Sequence, residues 1–73
     1  MLAIYDDAVP QIYSYFRNRV PQTATAEDLT AETFLAAVAQ IEKRGVEVVT
    51  VAWLIGIARH KLLDHWRRTA RRG

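Results

Sequence analysis

The stretch VAWLIGIARHKLLDHWRRTARR, Val51 to Arg72, decides the fold, because its apolar residues return at helical spacing along its first two thirds. Leu54, Ala58 and Leu62 recur every four residues, with Trp53, Ile57 and Trp66 close by. Unbroken, such a helix is ~33 Å long at 1.5 Å per residue. Thr50 stands before it as a candidate cap. The last two turns run short of apolar residues and fill with arginine, so they are expected to project beyond the surface on which the seam packs.

Upstream of this helix, Val46 to Val49 is β-branched and too short for a helix, and Gly45 to Thr50 reads as an ordered loop. Gly45 is placed to end a preceding helix in the left-handed conformation, with Lys43 and Arg44 in its last turn, where cations suit the negative dipole end. That second helix is expected to start at a Thr25 cap, with Asp28 three residues on. Leu29, Phe34, Leu35, Val38 and Ile41 are expected as its buried stripe. The first helix spans about Leu2 to Val20, with Ile12, Tyr13, Tyr15, Phe16 and Val20 as its apolar side. Pro10 removes an amide donor and crowds the preceding turn, so a kink or two shorter helices are expected there. Val20-Pro21 ends the segment, since the residue before proline disfavours helix. Three tyrosines, Tyr5, Tyr13 and Tyr15, are too many for one buried face, and one is expected on the surface. The fold class expected is all-α: a three-helix bundle with a long, basic C-terminal helix.

Length and composition agree with one small domain. The chain has 73 residues, 51% of them apolar and 25% charged, a globular balance. A domain of this size buries only about 60% of the surface its unfolded chain exposes, so its stability is modest. With no cysteine, neither disulfides nor thiolate metal sites reinforce the core. No apolar run approaches the ~20 residues that span a bilayer. The N-terminus, with Asp6 and Asp7 and no basic stretch, is unlike a signal peptide, so cytoplasm is the expected compartment.

The charge is unevenly distributed. Residues 1 to 58 hold four basic and seven acidic side chains, whereas residues 59 to 73 hold Arg59, Lys61, Arg67, Arg68, Arg71 and Arg72 against Asp64 alone. Two partners of opposite charge are implied. The basic end can neutralise phosphates with release of counterions, or it can be a solvated helix terminus favoured by the dipole. Trp53, Trp66, His60 and His65 among the cations favour unpaired nucleic acid, because stacking on an aromatic contributes ~1–3 kcal/mol per base. For Trp53 a place in the core is the plainer reading. Glu27, Asp28 and Glu32 form an acidic start to the second helix that suits a basic partner. Dipole compensation suffices for Glu27 and Asp28 and less so for Glu32.

Other chemistries find little support. His60 and Asp64 lie one turn apart with His65 adjacent, but no third or fourth ligand accompanies them, and no metal or other cofactor is expected. Ser14 is the sole serine and has no activating motif, and three glycines make no phosphate loop, so the chain is not read as an enzyme.

Four stretches together resemble region 2 of the extracytoplasmic function (ECF) sigma factors: YDDAVPQIYSYFRNRV (Tyr5 to Val20), AEDLTAETFL (Ala26 to Leu35), WLIGIARH (Trp53 to His60) and DHWRR (Asp64 to Arg68). They cover nearly the whole chain. The resemblance implies that the segment similar to region 2.2 docks on the coiled coil of the RNA polymerase β′ subunit, with Asp28 and Glu32 as charged contacts and Leu29 as a packing contact. It implies that the loop from Gly45 to Thr50 captures a base flipped from the non-template strand of the promoter minus-ten element. Arg59, His60, Lys61, Asp64, Arg67 and Arg68 are implied to read and hold that strand, with Arg71 and Arg72 joining the distal arginines on phosphate. An anti-sigma factor is a further partner it implies. Complete members carry a second DNA-binding domain, region 4, so residues 1–73 are expected to be a region 2 fragment lacking it.

Two other functions are compatible with the same helices. A helix-turn-helix or homeodomain-like reader would place the last helix in the major groove of duplex DNA. A protein-interaction module would use the basic end on an acidic partner.

Overall fold

Two breaks divide the chain, and their causes are local. The computed structural model describes the backbone of residues 2–45 and 48–72 and the side chains of residues 6–45 and 48–71. Within these bounds it contains helices α1 (Leu2–Arg17), α2 (Thr23–Arg44) and α3 (Val51–Arg72) and no strand. The all-α bundle expected from periodicity is what forms.

Helix α1 remains one helix through Pro10 rather than dividing into two. Pro10 is exposed, and so is Asp6, one turn before it. The carbonyl that loses its amide partner therefore lies on the solvent side, where water can satisfy it. The helix ends at Arg17, three residues before the expected limit, and a turn follows in which the Arg19 and Val20 amides both donate to the Phe16 carbonyl at 2.9 Å. That turn folds Val20 back into the core at 4% exposure, beside Ala8, Ile12 and Phe16.

Helix α2 starts two residues before the proposed Thr25 cap. Gln22 is the N-cap, in extended backbone conformation, and makes no side-chain capping bond. The Thr25 hydroxyl instead donates to Gln22 Oε1 at 3.5 Å. The physical reason is the anchor: Val20 is buried and Pro21 cannot continue α1, so the chain turns at once and enters the next helix. At the other end Gly45 caps as expected, with φ 64° and ψ 44°, its amide donating to the Ile41 carbonyl at 2.9 Å.

The buried stripe of α2 also differs from the expected one. Leu29 is buried, but its companions are Ala26, Thr30, Thr33 and Ala37, whereas Leu35 is 71% and Val38 41% exposed, and Phe34 and Ile41 are half-buried. Threonine enters the core because its hydroxyl can bond within its own helix. Thr30 donates to the Ala26 carbonyl at 2.7 Å and Thr33 to the Leu29 carbonyl at 2.8 Å, leaving a methyl to face the neighbours. No buried polar side-chain atom among the described residues is left without a partner.

Helix α3 follows its expectation closely. Thr50 caps it by accepting from the Trp53 amide at 3.1 Å. Leu54, Ala58 and Leu62 are all buried, with Ile57 beside them, and Trp53 is half-buried against the core. Gly45 and Val48–Thr50 are non-helical, and Val46 and Glu47 of the expected loop lie outside the described residues, as does the side chain of Tyr5. Each helix packs on both others.

Candidate nucleic-acid interface

The site starts from the point where the seam of α3 runs out. Past Leu62 the helix has no buried residue among those described, and from Trp66 to Arg71 every side chain is exposed. A tryptophan that the bundle has no room to enclose is thus left 46% exposed, so Trp66 is a surface ring rather than a core residue.

Two concavities flank it. One, of about 440 Å³, is lined by Tyr15 of α1 and Arg19 of the turn after it and by Ile55, Arg59, Leu62, Leu63 and Trp66 from α3. The other, of about 410 Å³, lies between Val20, Pro21, Gln22 and Thr25 of the α1–α2 corner and His65, Trp66 and Thr69 of α3. In the first, the Arg19 guanidinium sits 3.8 Å from the Tyr15 ring centroid and donates from Nη1 to the Tyr15 carbonyl at 2.9 Å. Tyr15 in turn meets Phe16 edge-on, with ring centroids 5.5 Å apart.

The expected strand-binding residues therefore divide. Arg59 joins Trp66 at the first cleft. His60, Asp64, Arg67, Arg68 and Arg71 are exposed along α3, and Lys61 is half-buried. Arg72 has its side chain outside the described residues. Arg67 Nη1 lies 3.7 Å from Asp64 Oδ1, with the two side chains 69% and 59% exposed, a pair loose enough for Arg67 to leave. His60 and Asp64 do not meet a third ligand: no cluster of three or more His, Asp or Glu able to hold a metal occurs among the described residues.

Residue spacing along the sequence could not reveal Tyr15, Arg19, Gln22 or Thr25 as neighbours of Trp66. Only the packing of α1 and the α1–α2 corner against α3 brings them there. The one available signal was the four-residue spacing of Tyr15 and Arg19, which suits a stacked pair on a helix end.

On α2 the acidic residues stand differently from their expected places. Because the helix begins at Thr23, its first turn contains no acid. Glu27 and Asp28 fall beyond the reach of the dipole effect, so compensation no longer accounts for them. Both are exposed, and Glu32 is half-buried. Leu29, expected to pack on a partner, is only 2% exposed and belongs to the bundle's own core. Asp28 and Leu35 are seven residues apart on the side opposite the buried stripe. Beside that face, Val9 and Tyr13 of α1 and Glu27, Thr30, Ala31 and Phe34 of α2 line a shallow apolar groove of about 480 Å³.

Residues 4–72 match the Sigma-70 region 2 family. The chain belongs to that family. It is 42% identical over 65 residues to the ECF RNA polymerase sigma factor BldN of Streptomyces coelicolor, a match covering 88% of this chain and 25% of the relative. It is also 42% identical over 48 residues to the probable RNA polymerase sigma-C factor of Mycobacterium bovis and to the ECF RNA polymerase sigma factor SigC of Mycobacterium tuberculosis. Those matches cover 66% of this chain and 26% of each relative. This region 2 domain thus spans about a quarter of the length of the curated relatives it matches. No solved structure gives a significant match to it. The family is a domain of sigma factors, which are transcription initiation factors rather than enzymes. No described helix is long and apolar enough to cross a membrane.

Proposed function

We propose that this region 2 domain docks through the exposed face of α2 on the coiled coil of the RNA polymerase β′ subunit and holds the melted non-template strand of a promoter minus-ten element along the C-terminal half of α3. The observation that carries the reading is Trp66, an exposed ring on a helix lined with cations. A duplex offers no free base face for such a ring, whereas an unpaired strand offers one at every nucleotide. Phosphate neutralisation falls to Arg59, Lys61, Arg67, Arg68, Arg71 and Arg72, and His60 is placed to meet a base edge. Asp64 holds Arg67 until phosphate displaces it, and as an acceptor it suits an exocyclic amine of a base.

The mechanism is capture. Strand opening costs unstacking energy, and held bases and screened phosphates offset it without any covalent step. On α2, Asp28 and Glu32 provide the charges for a basic coiled coil. Leu35, one turn beyond Glu32 and 71% exposed, supplies the apolar contact that Leu29 cannot. An anti-sigma factor that covered either face would block the corresponding step. Work at the polymerase places the domain in the cytoplasm.

Three affinities test the proposal: for a single-stranded minus-ten oligonucleotide, for its duplex, and for a β′ coiled-coil fragment. The expected order has the single strand bound more tightly than the duplex, with the β′ fragment bound as well. Tighter duplex binding would favour the helix-turn-helix reading, and failure to bind either DNA would leave only an interaction module.

A further inference from the structure

From the cleft between the end of α1 and α3 we infer a dedicated single-nucleotide site, in which the base of one unpaired nucleotide lies on Trp66 and its phosphate is held between Arg19 and Arg59. The inference rests on the single-strand reading above and adds α1 to the strand's path. Four observations support it. The cleft of about 440 Å³ falls within the roughly 300–1,000 Å³ of sites that enclose a small ligand. Its two cations come from different segments, Arg19 from the turn after α1 and Arg59 from α3, and no carboxylate lines it. Arg19 is fixed in advance: one face of its guanidinium lies on Tyr15 and Nη1 is bonded to the Tyr15 carbonyl, while the residue stays exposed. Little side-chain freedom is lost when such a group meets a phosphate. Finally, the floor is apolar, from Ile55, Leu62 and Leu63, which suits a base rather than a free anion.

The charge pattern favours this cleft over the groove beside Asp28, which contains Glu27 and would repel phosphate. It also favours it over the concavity of Pro10, Gln11, Ser14 and Val51, which has no charged side chain.

The experiment measures binding of the full chain to a single-stranded minus-ten oligonucleotide and to a series in which each base in turn is replaced by an abasic site, across a range of salt concentrations. Arg19→Ala is expected to weaken binding at least fivefold and to lower the salt slope by about 0.7, the share of one phosphate on a single strand. Arg19→Lys should restore the slope. Trp66→Ala should weaken binding by at least roughly fivefold, the lower end of what one lost base stack costs. In that variant, one abasic position that weakens the parent should have no further effect. Circular dichroism and thermal melting verify that each variant is folded. Unchanged affinity and slope in folded Arg19→Ala, while Arg67→Ala with Arg68→Ala impairs binding, would overturn this site and leave the proposed function standing. Failure of the parent chain to bind any single strand would overturn both.

Discussion

Gly45 is the only described residue with positive φ, and the space around it is open: a Cβ added there would meet no atom within 4 Å. The cost of substitution at this position is therefore backbone strain alone. Gly45→Ala is expected to lower unfolding free energy by ~1–2 kcal/mol in a denaturant titration, the cost of a left-handed conformation for a residue with a side chain. Equal stability of the two proteins would show that the α2 terminus does not need this cap. The loss is a large share of the roughly 4–11 kcal/mol expected of a domain this size. Thr33 illustrates the opposite situation, a polar residue at 0% exposure whose hydroxyl is satisfied within its own helix. Its burial was not legible from hydropathy, because a threonine looks polar in sequence yet contributes a methyl group to the core once its oxygen bonds the preceding turn.

At the scale of the element, α3 was legible and α2 only partly so, for a physical reason. In α3, Leu54, Ala58 and Leu62 return every four residues and are all buried, so its phase is unambiguous. Its Thr50 cap is of the type that propensity favours. In α2, alanines and threonines fill the buried side while Leu35 and Val38 stand in solvent, and reading the large apolar residues as the core rotated the helix away from its true phase. Its start was misplaced because glutamine is a poor cap by propensity, whereas the buried Val20 and the break at Pro21 decide where the chain turns. On the proposed docking, the exposed Leu35 supplies the apolar contact and Glu32 is its charged neighbour. Glu32→Lys is expected to weaken binding to a β′ coiled-coil fragment at least tenfold while circular dichroism and melting temperature stay close to the parent's. Parental affinity in this variant would refute the docking assignment. The acidic and basic surfaces could be listed from sequence, but the Trp66 clefts could not, since they need the end of α1 placed against α3.

For the whole molecule, the long third helix sets the shape. The extents are 40 × 23 × 16 Å and the radius of gyration is 12.6 Å, above the ~11 Å expected of a compact domain of this length. The excess reflects a helix end that extends past its support and carries cations into solvent. Binding there should be governed by salt. Arg67→Ala with Arg68→Ala is expected to reduce the slope of log affinity for single-stranded DNA against log salt by about 1.4, two phosphate contacts at ~0.7 each. Binding to the β′ fragment should be spared. A slope that does not move would exclude these arginines as phosphate ligands.

The proposed function gives the domain two patches, the outward side of α2 for the coiled coil and the protruding end of α3 for the strand. Each patch is small, and alone each holds its ligand briefly. When coiled coil and promoter belong to one assembly, the first attachment presents the second at high local concentration, and such linkage can raise overall avidity by roughly 10²- to 10⁴-fold without a new contact. On the proposed function, this domain would stay on a promoter in the polymerase's company and release bare DNA in its absence.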